Sequence, residues 1–228
     1  MIPLPVSALI PTLNAAASLP ATLAALRGEV AEIIIADGGS MDATPDIARA
    51  YGAQVITAPR GRGPQLHAAA EAATQPWLLA LHADTCPGAG WQEAVAGFIA
   101  RPEAAKQAGY FRFALDDASP EARRLEAMVA WRCQWLGLPY GDQGLLIARD
   151  FYHALGGYEP IPLMEDVVLI RGIGRKSLVA LPADFITSAE KWQRDGWYGR
   201  SARNLFCLSL WFAGVSPERI ARLYARRR

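Results

Sequence analysis

The chain has 228 residues, 52% of them hydrophobic and 20% charged, and its 23 basic and 22 acidic residues leave a net charge of +1. That length buries ~70% of the unfolded surface, enough for one sizeable core, and the composition excludes collagen, coiled coil and intrinsic disorder. A near-neutral whole has no general attraction for nucleic acid, so charge must act locally here.

The first hundred residues alternate strand and helix signals with short connections, the pattern of a largely parallel sheet with helices on its faces. Val6 to Pro11 is a buried-type apolar run, followed by Leu19, Leu23 and Leu26 at helical spacing, with Gly28 as a stop. Ile33, Ile34 and Ile35 make a second strand that runs into the loop Asp37-Gly38-Gly39-Ser40. Thr44-Pro45 reads as an N-cap with proline at the first helical position, and Gly52 ends that helix. Gln54 to Ala58 is a third strand, then come the basic loop 59–63 and an alanine-rich helix. Trp77 to Leu81 is a fourth strand leading into His82-Ala83-Asp84.

In the second half, Gly109 to Leu115 alternates like a strand, Ser119-Pro120 caps a helix running to about Leu136, and Gly144 to Ala148 is a short apolar strand. Helices are expected near Asp150 to Leu155, Glu165 to Arg171 and Trp197 to Phe212, and Ser216-Pro217 starts a last one with Ile220, Leu223 and Tyr224 on one face. No repeat or linker interrupts the chain. The expectation is one α/β domain over 1–228, with a nucleotide-binding half at 1–100 and an acceptor-side half at 101–228.

Cys86, Cys133 and Cys207 are odd in number and widely spaced, which fits neither a disulfide framework nor a zinc site and suits a reducing cytoplasm. The N-terminus lacks the basic flank and unbroken apolar run of a signal peptide. The most apolar stretch, Leu205 to Val215, is too short to span a bilayer. From Lys191 to Arg228, nine basic residues face only Asp195 and Glu218, a net +7. Arg226, Arg227 and Arg228 suit the negative pole of a last helix. The same end, with Trp197, Trp211 and Phe212, also suits an anionic membrane surface or a phosphorylated acceptor, or else those aromatics pack in the core.

Candidate functional residues gather at strand ends, where open α/β sheets bind ligands. Asp37 is either a turn aspartate or a carboxylate for a base N–H or ribose hydroxyl, presented where glycines let a ligand approach. His82 and Asp84, two apart, face one ligand if the strand continues. A single carboxylate can hold Mg²⁺ or Mn²⁺ when phosphate oxygens and water complete the shell, though strand-end Asp is also common in turns. Arg60 and Arg62, among glycines, offer forked donors to phosphate or form a solvated loop. Glu165 and Asp166 open a helical pattern whose dipole favours charged carboxylates, as it would for any acidic first turn.

Taken in order, Asp37-Gly-Gly-Ser-x-Asp42, His82-Ala-Asp84, Gly157-Tyr158 and Glu165-Asp166 resemble the family 2 glycosyltransferases of the GT-A fold. PRGRGPQLHAAA, LHADT, GDQGLLIARDFYHALGGY, IPLMEDVVL and KWQRDGW are similar to the small bacterial arsenosugar-biosynthesis-type branch. The resemblance implies a Rossmann-like nucleotide-binding half and a mixed central sheet flanked by helices. It implies an inverting hexosyl transfer from a nucleotide-diphosphate sugar, UDP-linked by expectation, to a small or lipid-linked acceptor, assisted by Mn²⁺ or Mg²⁺. Asp37 matches the nucleoside-binding carboxylate, Asp84 the last aspartate of the metal-binding D-x-D motif and Asp166 the general base. The implied donor-binding set is Pro11, Asp37, Arg60, Arg62, His82, Glu165, Trp192 and Arg194. The chain departs from the pattern at His82, which replaces the first D-x-D carboxylate, and at Gly38, which replaces a second aspartate. A non-catalytic nucleotide-binding adaptor is the main rival. A sugar-phosphate nucleotidyltransferase would want a glycine-rich basic loop where Pro11-Thr12-Leu13-Asn14 stands.

Overall fold

The structure is a computed structural model that describes residues 2–225, the side chains at 195, 198, 200 and 225 excepted. Its strands are β1 (Leu4–Thr12), β2 (Val30–Asp37), β3 (Gln54–Thr57), β4 (Trp77–Ala80), β5 (Thr85–Pro87), β6 (Ala108–Leu115), β7 (Leu145–Ala148) and β8 (Leu178–Thr187). The helices are α1 (Leu19–Leu26), α2 (Thr44–Ala50), α3 (Arg62–Ala72), α4 (Trp91–Ile99), α5 (Pro120–Leu136), α6 (Arg149–Ala154), α7 (Glu165–Ile173), α8 (Glu190–Asp195), α9 (Trp197–Phe212) and α10 (Pro217–Ala225).

One sheet runs through both halves of the chain in the order β3-β2-β1-β4-β7-β6-β8-β5. The β3-β2-β1-β4 part is parallel, and antiparallel pairing begins where β4 meets β7. Strands buried on both faces need apolar residues on both, which is why 4–12 and 30–37 read as runs rather than alternations. Val6, Ala8, Ile10, Ile35 and Leu79 point into one core against α1 and α4. Leu9, Ile34, Ala36 and Leu78 point into a second core against α3 and α7. A third cluster joins the end of β6 to α5 and α8 through Phe113, Leu125, Val129 and Trp192.

This topology sets the site. β1 has β2 on one side and β4 on the other, both parallel to it, so the carboxyl ends of the strands open a crevice at a switch in strand order. Asp37 ends β2, and His82 and Asp84 follow β4, all on that edge.

Several expectations are corrected. Thr44 does not cap α2; it is the first helical residue, and Ala43 holds the cap position. The Asp42 carboxylate does the capping work, accepting from the Thr44 N–H at 3.0 Å and from its hydroxyl at 2.5 Å. Arg62 and Gly63 belong to the first turn of α3 rather than to a loop. The fourth strand stops at Ala80, so His82 and Asp84 do not share a strand face. The elements β5, α4 and β8 lie outside the sequence expectations, and β8 is the longest strand in the sheet, with 10 residues. Pro182 argues against a strand from sequence. Here it sits where the β6–β8 register jumps between Tyr110↔Ala180 and Arg112↔Asp184, a bulge that spares proline a ladder bond.

At the C-terminal end, Ile220 is buried and Leu223 exposed, so the expected apolar face of α10 is only partly covered. Trp197 packs against the third cluster, and Trp211 packs against the second core with the Arg171 guanidinium 5.4 Å from its ring centre. Phe212, Leu205 and Phe206 are exposed. Arg226, Arg227 and Arg228 lie outside the described residues.

Candidate active site

A cleft of about 840 Å³, open mouth included, lies between the strand ends, α7 and the C-terminal helices. Its walls carry His82 and Asp84 from the turn after β4, Arg62 from α3, Glu165 and Asp166 from α7, and Trp192 from α8. Six of the residues singled out from sequence therefore meet in one place. Asp37, Pro11, Arg60 and Arg194 do not line it.

Each position has a local cause. α7 starts after Met164, which holds a left-handed conformation at φ 70° with no side-chain cap. Such a non-glycine residue is strained and tends to mark functional sites. The turn sends Glu165 inward, where it is 2% exposed, and leaves Asp166 partly open to the cleft. Asp166 Oδ2 accepts the Gly141 N–H at 3.1 Å, and its Oδ1 accepts the Val167 N–H at 2.8 Å, so the carboxylate is oriented from both sides. Glycines make the close approaches possible. A Cβ on Gly63 would lie 2.4 Å from the Glu159 carbonyl oxygen, so the 159–161 backbone can rest on α3 only because that carbon is missing. This contact brings Arg62 to 3.9 Å from Glu165 and 3.4 Å from His82 Nε2. A Cβ on Gly141 would stand 2.8 Å from His82 Nε2.

The electrostatics divide the acids. Burial, reinforced by the Asp166 charge, pushes Glu165 up to about 7 against the partial relief of Arg62. Burial also raises Asp142, whose Oδ1 is buried without a hydrogen-bond partner. Burial alone would raise Asp84 as well, but the Lys191 ammonium, through its charge and its hydrogen bond, and the Arg62 guanidinium outweigh it and hold the carboxyl low. Burial, with Arg62 and Lys191 nearby, holds His82 well below the ordinary histidine range, so its ring is neutral at physiological pH. Lys191 Nζ sits 2.5 Å from Asp84 Oδ2.

Asp37 is in a different condition. Its Oδ1 accepts from the Thr12 hydroxyl at 3.0 Å and the Ser40 hydroxyl at 2.5 Å, and its Oδ2 from the N–H groups of Gly39 and Ser40 at 3.0 and 2.8 Å. An ionised carboxylate has about four acceptor positions, and here they are filled. Burial works against the charge, but these bonds win and lower the carboxyl from its ordinary range. Gln65 ties the same region together: its Nε2 donates to the carbonyls of Thr12 and Ala36 at 2.7 and 2.6 Å. Trp192 is 7% exposed and stacks edge-on to Phe113, so only part of it reaches the cleft.

Lys191, Asp142, Tyr140, Asn204 and Tyr224 also line the cleft and were not among the sequence candidates. For Asp142 a signal existed, since a carboxylate in the glycine-flanked run Gly141-Asp142-Gln143-Gly144, just ahead of an apolar strand, is well placed for a ligand. Lys191 opens the KWQRDGW motif, but nothing in the sequence ties it to Asp84, 107 residues away.

A divalent ion would find two protein donors here, the Asp84 carboxylate and the neutral His82 ring. Among the described residues no three His, Cys, Asp or Glu side chains come together in a way that could hold one. The pair fits a metal as part of a shell that phosphate oxygens and water would complete.

The model of "Glycosyl transferase family 2" matches residues 7–154, which carry the crevice and the strand-end acids. The chain belongs to that family. Uncharacterized glycosyltransferases of Mycobacterium tuberculosis and Mycobacterium bovis are 40% identical to it over 86 residues, a match covering 37% of this chain and 39% of each relative. The chain thus matches well under two thirds of those relatives' length. Among solved structures, glucosyl-3-phosphoglycerate synthase of M. tuberculosis with Mn²⁺, UDP and glucosyl-3-phosphoglycerate superposes with a TM-score of 0.56 at 19% identity, covering 80% of this chain and 70% of that one. The same enzyme with Mn²⁺, UDP-glucose and glycerol 3-phosphate gives 0.55 at 20% identity, covering 77% and 68%. The fold is the mixed α/β GT-A arrangement. Among the described residues no helix is long and apolar enough to cross a membrane.

Proposed function

We propose that this family 2 member transfers a hexose, with inversion, from a UDP-linked donor to the hydroxyl of a small or lipid-linked acceptor. The observation that carries this reading is the meeting of Asp166 with Asp84, His82 and Arg62 across one cleft at the carboxyl edge of the sheet. In support, structural neighbours were solved with UDP-glucose, Mn²⁺ and small phosphorylated acceptors. Residues 1–100 would hold the nucleotide and 101–228 the acceptor side.

The acceptor oxygen attacks the anomeric carbon as the bond from that carbon to the β-phosphate oxygen breaks on the opposite face. Asp166 takes the acceptor's proton. It suits this task because it is oriented from both sides and open to the cleft, whereas Glu165 is buried against Arg62. Arg62 and Lys191 meet the negative charge of the departing diphosphate. A bound Mn²⁺ or Mg²⁺ would be held by Asp84 and His82 and would supply further positive charge there. Asp37 has no free acceptor position, so its part in donor binding is to shape the 38–42 loop on which the nucleoside rests. Asp142 Oδ1, buried and unpartnered, is matched by a sugar hydroxyl. The exposed apolar residues Leu205, Phe206 and Phe212 of α9, whose other face carries Asn204 and Cys207 into the cleft, suit an anionic membrane surface from which a lipid-linked acceptor would come.

The second reading, a nucleotide-binding adaptor without turnover, is favoured by the Lys191–Asp84 pair, which occupies the implied metal ligand. A melting-temperature panel of UDP, UDP-sugars and other nucleotides with and without Mn²⁺, followed by transfer assays, separates the readings. UDP-sugars are expected to raise the melting temperature and to be consumed. Stabilisation without consumption across an acceptor panel supports the adaptor, and no stabilisation by any nucleotide overturns both.

A further inference from the structure

We propose that Lys191 is a built-in counter-cation that guards Asp84 against free divalent ions and releases it only when a diphosphate enters the cleft. The proposal rests on the nucleotide-sugar reading above, but part of its test does not.

The pairing is a constructed feature of the fold. β5 and β8 pair with Thr85 opposite Thr187, and the two hydroxyls lie 3.0 Å apart. The Ser188 N–H donates to the Asp84 carbonyl at 3.2 Å, and the Ala189 N–H donates to Asp116 Oδ1 at 2.6 Å. The backbone on both sides of the ion pair is therefore fixed before α8 begins, and Lys191, the second residue of that helix, reaches Asp84 Oδ2 at 2.5 Å. The Asp84 side chain is 12% exposed, whereas that of Lys191 is 44% exposed and has room to swing.

Now compare two arrivals. A divalent ion alone must take Asp84 from Lys191 and leave an ammonium without its partner at short range. Its other protein donor, His82, already has the Arg62 guanidinium 3.4 Å from Nε2. Like charges at such distances repel strongly in a partly desolvated cleft. A diphosphate reverses both terms, because its oxygens pair with Lys191 and Arg62 and leave Asp84 and His82 free to ligate. Metal loading is thereby tied to donor loading.

Titration of Mn²⁺ alone, followed by its electron paramagnetic resonance signal, and calorimetry of UDP in EDTA test this on wild type, Lys191→Met and Lys191→Arg. Lys191→Met is expected to bind Mn²⁺ alone about tenfold tighter than wild type and UDP in EDTA about tenfold more weakly, with Lys191→Arg close to wild type in both. A lysine with a merely structural role would not move the two affinities in opposite directions. Lys191→Gln repeats the test should the methionine variant fold poorly. In the Asp84→Asn background the Mn²⁺ difference should vanish. If Mn²⁺ alone binds Lys191→Met no more tightly than wild type, the guard does not exist, and if UDP in EDTA binds both equally well, its release by diphosphate does not. If UDP binds none of the proteins while Mn²⁺ alone still tightens, the guard at Asp84 stands, its release by diphosphate falls, and so does the nucleotide-sugar reading.

Discussion

The two carboxylate environments on the same sheet edge differ in what they leave undone. At the end of β2, Asp37 has all its acceptor positions filled by Thr12, Gly39 and Ser40 and is lowered from its ordinary range. Across β1, around Asp84 and α7, the acids are raised, paired with partly exposed cations or unpartnered: Glu165 is pushed up to about 7, Asp142 Oδ1 has no donor and Asp84 leans on a half-exposed lysine. The first region is finished by the chain alone. The second is balanced only provisionally, and groups of that kind cluster where a substrate completes the balance.

Substitutions can break that contrast. The largest effect is expected from Asp166→Asn, which keeps the shape and, through its one oxygen, the Gly141 contact, gives up the Val167 contact and cannot take a proton. Turnover should fall ~10²–10⁴-fold with nucleotide affinity and melting temperature little changed. Steady-state kinetics beside calorimetry would show it, and full activity would remove Asp166 from the role of base. Asp37→Ala should do the reverse. It leaves two N–H groups and two hydroxyls without their acceptor, so unfolding in urea should show a loss of about 2–3 kcal/mol, with weaker nucleotide binding following from the loosened loop. A variant as stable as wild type would mean that those bonds are made equally well to water.

Much of this layout was legible in the chain. Apolar runs and glycine stops located the parallel strands, because burial on both faces leaves little else to encode. The acids at strand ends followed from topology, and six of the candidates do share the cleft. What escaped depends on distant pairing. β8 carries a proline that only a bulge opposite β6 accommodates. Lys191 gains its meaning from a turn more than a hundred residues earlier. Arg62 reads as a loop residue in the sequence, and its place in the first turn of α3 goes with the 159–161 backbone resting on Gly63, a contact nearly a hundred residues away. Asp37, conversely, sits where the sequence put it, yet its neighbours satisfy it, and no spacing rule reveals how many acceptor positions remain.

The smallest effect expected is also the one that probes the unfinished region without substrate. Glu165 in the folded chain holds its proton up to about 7, whereas an unfolded glutamate loses it near the ordinary 4.5. Between those values the folded state binds the extra proton, so stability falls as pH rises, and the loss is complete above the folded value. Glu165→Gln removes the titration. The variant should lack that part of the decline, so that its melting temperature relative to wild type climbs by about a few degrees from pH 4.5 to pH 8. Its loss of the Arg62 contact, at 3.9 Å with a half-exposed guanidinium, is a constant offset and does not mimic the trend. Parallel curves for the two proteins would mean that Arg62 keeps Glu165 ionised throughout. The α7 acids would then resemble Asp37 more than they differ from it.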